Sequence, residues 1–124
     1  MYVGFALFRF KKGQGKFAMK HMREHLKIVQ GVKGFIHGYV AKSVDTEHEY
    51  LVIEEYETSE AQERAQELIA NDLKRKPAEY IKFTKILQEK PRVEVFRKRE
   101  MTNTTFSKKY KNLIKKVMKN RPSH

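Results

Sequence analysis

The sequence contains no cysteine and no tryptophan, and only three prolines. Without cysteine the chain cannot form a disulfide framework, a thiolate metal site or a cysteine nucleophile. The lack of cysteine also fits the reducing cytosol, so we expect a cytoplasmic protein. No apolar run approaches the roughly 18 residues of a membrane-spanning helix. The apolar residues 1–8 follow no basic region, so we expect no signal peptide.

Acidic residues are missing from the end of the chain. Residues 101–124 contain seven Lys or Arg and no Asp or Glu, whereas the remaining 20 basic residues face all 15 acidic ones. Most of the formal net charge of +12 therefore comes from a short segment. Because 124 residues suffice for one domain with a short extension, we predict a globular domain over residues 1–99 and a basic tail over residues 100–124.

Hydrophobic periodicity predicts secondary structure in the order β-α-β-β-α-β. The predicted strands cover residues 2–10, 35–42, 50–56 and 92–97. The predicted helices cover residues 16–30, a stretch opened by a capping box with Ser59 as its N-cap, and a further stretch from Pro77 to Leu87. This order predicts a ferredoxin-like α+β fold.

The first predicted strand is apolar on both faces. One face carries Val3, Phe5 and Leu7, and the other carries alternating residues from Tyr2 to Phe10. Helices can cover only one face of such a sheet, and a second sheet is the simplest cover for the other. The sequence therefore predicts a homodimer in which the two sheets pack against each other.

The basic tail has helical periodicity of its own. Six apolar or aromatic residues recur on one narrow arc, and lysines lie across from them, which predicts a basic amphipathic C-terminal helix. Either the helix packs on its own dimer and leaves its lysines in water, or it contacts an anionic partner such as nucleic acid or an anionic surface. The apolar set is Phe106, Tyr110, Leu113, Ile114, Val117 and Met118.

His21 and His25 are the first candidates for a functional site. They are four residues apart on the apolar arc of the first predicted helix, so both face the sheet. The stretch from His21 to His25 matches the H-x-x-E-H zinc motif, but Glu24 projects to the opposite arc, and we predict no metal site. The two histidines are either hydrogen-bonded core residues or catalytic groups, acting as acid or base in a cleft.

The second predicted strand supplies further candidates. Strict alternation places Phe35, His37 and Tyr39 on one face. If that face meets the helices, His37 and Tyr39 join the two histidines, Phe5 and Leu7 around a small-molecule ligand; otherwise they face the dimer partner. Residues 33–40 also resemble an RNA-recognition signature, although they form the second strand rather than the third.

Residues 1 to about 99 resemble the antibiotic-biosynthesis-monooxygenase superfamily of dimeric α/β barrels. The resemblance rests on the order of elements and on three segments: the glycine-phenylalanine entry into the second strand at residues 31–39, the acidic strand end and cap at residues 55–61, and the closing strand at residues 90–96. It implies a homodimer with a substrate cleft between the helices and the sheet of each protomer.

Members of this superfamily include cofactor-independent oxygenases of quinol-like aromatics, heme-degrading oxygenases and proteins without identified chemistry. Heme degraders use an asparagine on the first strand and a tryptophan and an axial histidine on the second helix. Here Ala6 stands near the asparagine position, tryptophan is absent, and residues 49–123 hold no histidine. The resemblance therefore favours oxygenation without a cofactor over heme chemistry. Heme stays a possible cofactor, with His21 or His25 as its ligand.

Two functions remain open from the sequence. The first is a cofactor-independent monooxygenase for a small phenol- or quinol-like substrate, in which His21 or His25 takes a proton from the substrate. The second is a non-catalytic dimeric binding module whose basic tail contacts an anionic partner.

Overall fold

The protein follows the predicted ferredoxin-like order and ends in an additional helix. The structure, a computed structural model, describes residues 1–99 and 108–119. In this part of the chain the elements are β1 Tyr2–Arg9, α1 Gly15–Val29, β2 Phe35–Lys42, β3 Glu49–Tyr56, α2 Ser59–Arg75, α3 Pro77–Lys85, β4 Arg92–Arg97 and α4 Lys108–Lys119.

The four strands form one antiparallel sheet in the order β2-β3-β1-β4. In the register of the sheet, Ala6 of β1 lies opposite Val52 of β3 and Val93 of β4. Because residues directly opposite each other project to the same side, the register defines two faces. We call the side that carries Ala6 the helix face and the other side the outer face.

The helices α1, α2 and α3 cover the helix face and form the core with it. Phe10, Met22 and Phe83 are almost fully buried and belong to one hydrophobic cluster with residues of β3. Tyr56 is the largest member of a second cluster, which includes Ala61 of α2. Both clusters lie between the sheet and the helices, so this is where an enclosed site has room to form.

The outer face carries several neighbouring apolar side chains and lies apart from both clusters. The register places Leu7, Leu51 and Ile53 on it, opposite one another on β1 and β3. Tyr39 of β2 and Phe96 of β4 lie on the same face and are each 50% exposed. None of these side chains belongs to either cluster among the described residues.

A β-bulge interrupts the alternation predicted for the second strand. The pairing of β2 with β3 shifts between Phe35 and His37, so β2 has one more residue than β3 at this point, Ile36. Phe35 consequently faces the helices and packs edge-on against Tyr56. His37 and Tyr39 project from the outer face, where their rings lie nearly parallel. The prediction that all three share a face is wrong because one extra residue inverts the pleat.

The N-cap of α2 is Thr58 rather than Ser59. The backbone of Thr58 is extended, and its Oγ1 accepts a hydrogen bond from the Ala61 N–H at 3.1 Å. Ser59 is the first residue of the helix. The predicted cap is therefore wrong by one position, because Thr58 and Ser59 are both good capping residues and their order alone does not select between them.

We expect Thr58→Ala to destabilise the domain by about 1 kcal/mol, since the Ala61 N–H would lose its acceptor. Ser59→Ala is the matched control, and its midpoint of urea denaturation should stay close to that of the wild type. A larger effect from Ser59→Ala than from Thr58→Ala would contradict the observed cap.

The C-terminal segment contains the predicted helix, α4. Its residues Lys108–Lys119 are helical, with lysines in the last turn and no acidic residue in the first. Phe106 and the rest of residues 100–107 lie outside the described residues, as do residues 120–124. The domain boundary after residue 99 therefore stays a prediction. In the described part of the chain, no helix has the length and apolar character needed to cross a membrane.

Candidate active site

A cavity of about 330 Å³ lies between the helix face of the sheet and the helices α1, α2 and α3. Small residues leave this space open: Gly4 and Ala6 on β1 and Ala65 on α2 line it. Its remaining apolar wall is formed by Phe8, Met22, Val29, Val52, Ile69, Phe83, Val93 and Val95. The cavity can therefore hold a small, mainly apolar molecule.

Three polar side chains form a hydrogen-bonded chain in one wall of the cavity. His25 of α1 lies 2.8 Å from Glu54 of β3, measured from Nε2 to Oε2. The Tyr56 hydroxyl donates to Oε1 of the same carboxylate. Burial alone would raise the pKa of Glu54, but the hydrogen bonds from His25 and Tyr56 and the charge of His25 hold this pKa below its usual range. Glu54 is thus ionised at neutral pH.

The ionisation of Glu54 determines how His25 is protonated. A carboxylate can only accept hydrogen bonds, so Nε2 of His25 must carry the hydrogen. In the neutral imidazole this leaves Nδ1 without a proton and able to accept one. Burial and the hydrogen bond to Glu54 also raise the pKa of Tyr56 above its usual range, so its hydroxyl keeps its proton. The arrangement is a histidine base oriented by a partly buried carboxylate.

His21 lines the same cavity one helical turn away from His25. Its ring stacks on Phe83 with centroids 4.1 Å apart and meets the edge of Tyr80 at 5.1 Å. Burial and the nearby charge of His25 lower the pKa of His21 despite three opposing carboxylates. His21 is therefore a neutral imidazole at neutral pH, with its ring held by aromatic neighbours.

A second polar cluster fixes the aromatic wall behind His21. The buried Asp72 of α2 accepts a hydrogen bond from the Tyr80 hydroxyl and another from Arg75, each at 2.8 Å. These two bonds hold the pKa of Asp72 below its usual range, and burial together with Asp72 raises the pKa of Tyr80. The cluster ties α3 to α2 and so fixes the position of Tyr80 against His21.

The structure brings together only part of the predicted site. His21 and His25 both line the cavity, as the helical periodicity predicts. Phe5 contributes to the lining, but its ring packs against Phe96 at a centroid distance of 6.3 Å. Leu7 lies on the outer face.

His37 and Tyr39 also lie on the outer face, away from the cavity. The Nε2 atom of His37 is 2.8 Å from Glu55, which in turn accepts a hydrogen bond from Lys98 at 2.9 Å. The hydrogen bond and charge of Lys98 and the charge of His37 outweigh the effect of burial and lower the pKa of Glu55. The structure therefore separates the predicted substrate-binding residues of β2 from the two histidines of α1.

Sequence reasoning missed Glu54 and Tyr56 as site residues. A signal was present, because Glu54 and Glu55 interrupt an otherwise apolar strand and must project to opposite faces. Gln62 and Gln66 of α2 also line the cavity, four residues apart on one helix face. Their amides add hydrogen-bonding groups to a largely apolar wall.

The residues present do not fit the heme-degrading constellation. The second helix contributes glutamine, alanine and isoleucine to the cavity, and β1 contributes glycine, alanine and phenylalanine. Neither element supplies the histidine or asparagine of that constellation. In the described residues, no group of three or more His, Asp or Glu side chains is arranged to hold a metal ion.

Solved structures of similar fold come from several organisms. The cofactor-independent oxygenase SnoaB from Streptomyces nogalater superposes with a TM-score of 0.65 at 12% identity, covering 83% of this chain and 97% of the other. The Rv0793 protein from Mycobacterium tuberculosis gives a TM-score of 0.67 at 12% identity, covering 82% of this chain and 98% of the other. At such identities the likeness concerns the fold.

Sequence comparison identifies the family. A search of curated proteins finds no significant match. The family model described as antibiotic biosynthesis monooxygenase matches residues 1–68, more than half of the chain. This segment includes His21, His25, Glu54 and Tyr56, and the folds of the solved structures agree with the match. The chain belongs to the antibiotic biosynthesis monooxygenase family.

Proposed function

We propose that the protein is a cofactor-independent monooxygenase that oxidises a small phenol- or quinol-like substrate in the cavity between the helices and the sheet. The observation that carries the proposal is the His25–Glu54 hydrogen bond in the wall of a largely apolar cavity. Family membership supports oxygenase chemistry, and one protein of similar fold is a cofactor-independent oxygenase. The substrate class is our inference from the site.

The first step is the removal of a proton from the substrate hydroxyl. Nδ1 of His25 accepts the proton, and the Glu54 carboxylate stabilises the imidazolium that forms. A base positioned in this way typically contributes a factor of about 10² to 10⁴ in rate. His21 stays neutral and offers a ring N–H to the substrate anion. The surrounding apolar wall excludes water from that anion.

The second step needs no cofactor, because the substrate itself supplies the two electrons that reduce the second oxygen atom to water. Dioxygen and a substrate with two removable hydrogens give an oxygenated product and one water. One oxygen atom enters the product, and the other takes the two hydrogens and two electrons of the substrate. A deprotonated phenol is the electron-rich form that gives up an electron to dioxygen most easily. Proton removal by His25 therefore precedes oxygen transfer.

Spectroscopy with 4-nitrophenol tests the proton step, because its anion is coloured and the neutral phenol is not. Wild-type protein at a pH where free 4-nitrophenol is mostly neutral should generate the anion absorbance on binding. His25→Gln should abolish this signal, whereas His48→Asn, in the loop between β2 and β3, should leave it unchanged. Oxygen uptake with 1,4-naphthohydroquinone, measured above the uncatalysed rate, tests the second step. Binding of 4-nitrophenol only in its neutral form would contradict the proposed base.

A non-catalytic binding module is the second candidate function, and the basic helix α4 favours it. The same measurements separate the candidates. An enzyme consumes oxygen above the uncatalysed rate, whereas a binding module takes up the probes without turnover.

We further propose that the protein is a homodimer whose two sheets pack through their outer faces. The apolar side chains of the outer face support this assembly: Leu7, Leu51 and Ile53 project from it, and Phe96 is half exposed in the single chain. Exposed apolar surface of this kind on a sheet is a recurrent property of association sites. The ion pair of His37 with Glu55 would lie in the interface.

A further inference from the structure

The positive charge of this protein is concentrated in its last helix. Six of the twelve residues of α4 are lysine and none is acidic. The part of the chain before residue 101, by contrast, has 20 basic and 15 acidic residues. The oxygenase chemistry proposed above uses none of the α4 residues, and the described residues that line the cavity all precede this helix.

The described side chains of α4 expose both charge and apolar surface. Lys115, Lys116 and Lys119 are exposed. Val117 is 60% exposed in the same two turns. At about 100° per residue, Lys115 and Lys119 lie on nearly the opposite side of the helix from positions 113 and 117. The sequence places leucine at position 113 and valine at position 117. The helix thus has a basic side and an apolar side.

We infer that α4 binds the surface of an anionic lipid bilayer and lies in its plane. A helix whose apolar and polar sides are clearly separated, and whose polar side is rich in lysine, is typical of interfacial binding. The apolar side enters the boundary between headgroups and acyl chains, while the lysines extend to the anionic headgroups. The length and charge of α4 exclude a membrane-spanning role.

Two features favour a bilayer over nucleic acid as the partner. Six of the seven basic residues in residues 101–124 are lysine. Lysine acts as a point charge, whereas the planar, bidentate contacts of specific nucleic-acid recognition favour arginine. A nucleic-acid backbone also offers no apolar phase for a side such as that of Leu113 and Val117.

Vesicle flotation with the full-length protein tests the inference. We expect binding to vesicles of equal parts phosphatidylcholine and phosphatidylserine, and little binding to phosphatidylcholine alone. Replacing Lys115 and Lys119 by glutamine should weaken binding roughly tenfold or more, because each lysine near an anionic surface contributes about a factor of five. Val117→Gln should also weaken binding, and high salt should release the protein.

The matched control replaces Lys27 of α1 and Lys74 of α2, both exposed, by glutamine. This variant loses the same net charge and should keep wild-type affinity for the vesicles. Equal loss of affinity in the tail variant and the control would overturn the inference, since general charge rather than α4 would be responsible. Absence of vesicle binding, or tighter binding to a random DNA duplex than to anionic vesicles, would also overturn it.

Discussion

Replacing Glu54 by glutamine is expected to lower the rate of oxygen uptake with 1,4-naphthohydroquinone at least a hundredfold. Glutamine has nearly the same shape but no charge, so it cannot stabilise the imidazolium that His25 becomes when it accepts the substrate proton. Loss of general-base catalysis costs about 10² to 10⁴ in rate. The variant should still bind 4-nitrophenol, but in its neutral form.

Tyr56→Phe is the informative control for this prediction. It keeps the buried ring and the Glu54 carboxylate but removes the hydroxyl that donates to Glu54. We expect a smaller loss of rate than with Glu54→Gln. An unchanged rate in Glu54→Gln, with the wild type active, would show that the carboxylate takes no part in proton transfer.

Tyr56→Phe should also change the pH dependence of the Glu54 carboxyl. The pKa of Glu54 lies below its usual range, so the carboxylate is present at neutral pH and is lost only as the pH falls through that lowered value. Removing the Tyr56 hydroxyl takes away one of the hydrogen bonds that lower this pKa. The pH at which the Glu54 carboxyl titrates, followed by carbon NMR of the side-chain carboxyl, should therefore be higher in Tyr56→Phe than in the wild type. A shift to lower pH would contradict this account.

Ile53→Lys is expected to convert the proposed dimer into a monomer at micromolar concentration. Ile53 lies on the outer face of β3, opposite Phe5 of β1 and Tyr39 of β2. A lysine at the centre of two packed sheets would bury an unpaired charge, whereas in a monomer it would remain in water. Size-exclusion chromatography with light scattering measures the change directly.

Ile81→Lys provides the control for the outer-face prediction. Ile81 is 53% exposed and lies on α3, away from the outer face. This variant should remain a dimer with unchanged stability. A wild-type protein that is monomeric at micromolar concentration, or an Ile53→Lys variant that stays dimeric, would contradict packing through the outer faces.

Much of the fold could be predicted because its causes are local and periodic. The histidines of α1 face the cavity because helical spacing places them with Met22 and Leu26 on the apolar side. The start of α3 at Pro77 also follows from local chemistry, since proline fits the first turn of a helix.

The parts that could not be predicted depend on contacts between distant segments. The bulge at Ile36 places the β2 side chains before and after it on opposite faces of the sheet. The extra residue becomes apparent only when β2 is paired with β3. The pairing of His25 with Glu54 joins residues 29 positions apart in the sequence. Neither local propensity nor periodicity predicts how α1 packs on β3, and this packing brings the pair together. For the same reason the sequence pattern groups Leu7, His37 and Tyr39 with histidines that lie on the other side of the sheet.

The small residues of β1 make the size of the cavity adjustable without cost to the fold. A Cβ added at Gly4 would come no closer than 3.8 Å to the backbone oxygen of Glu54, which is ordinary contact. A Cβ at Gly38 would instead lie 2.9 Å from a methyl group of Leu26 and 3.1 Å from a backbone oxygen. Substitution at Gly4 can thus shrink the space available to a ligand, whereas substitution at Gly38 would disturb the packing of α1. A single position on β1 can therefore set the space available to a ligand while the packing of the sheet against the helices stays the same.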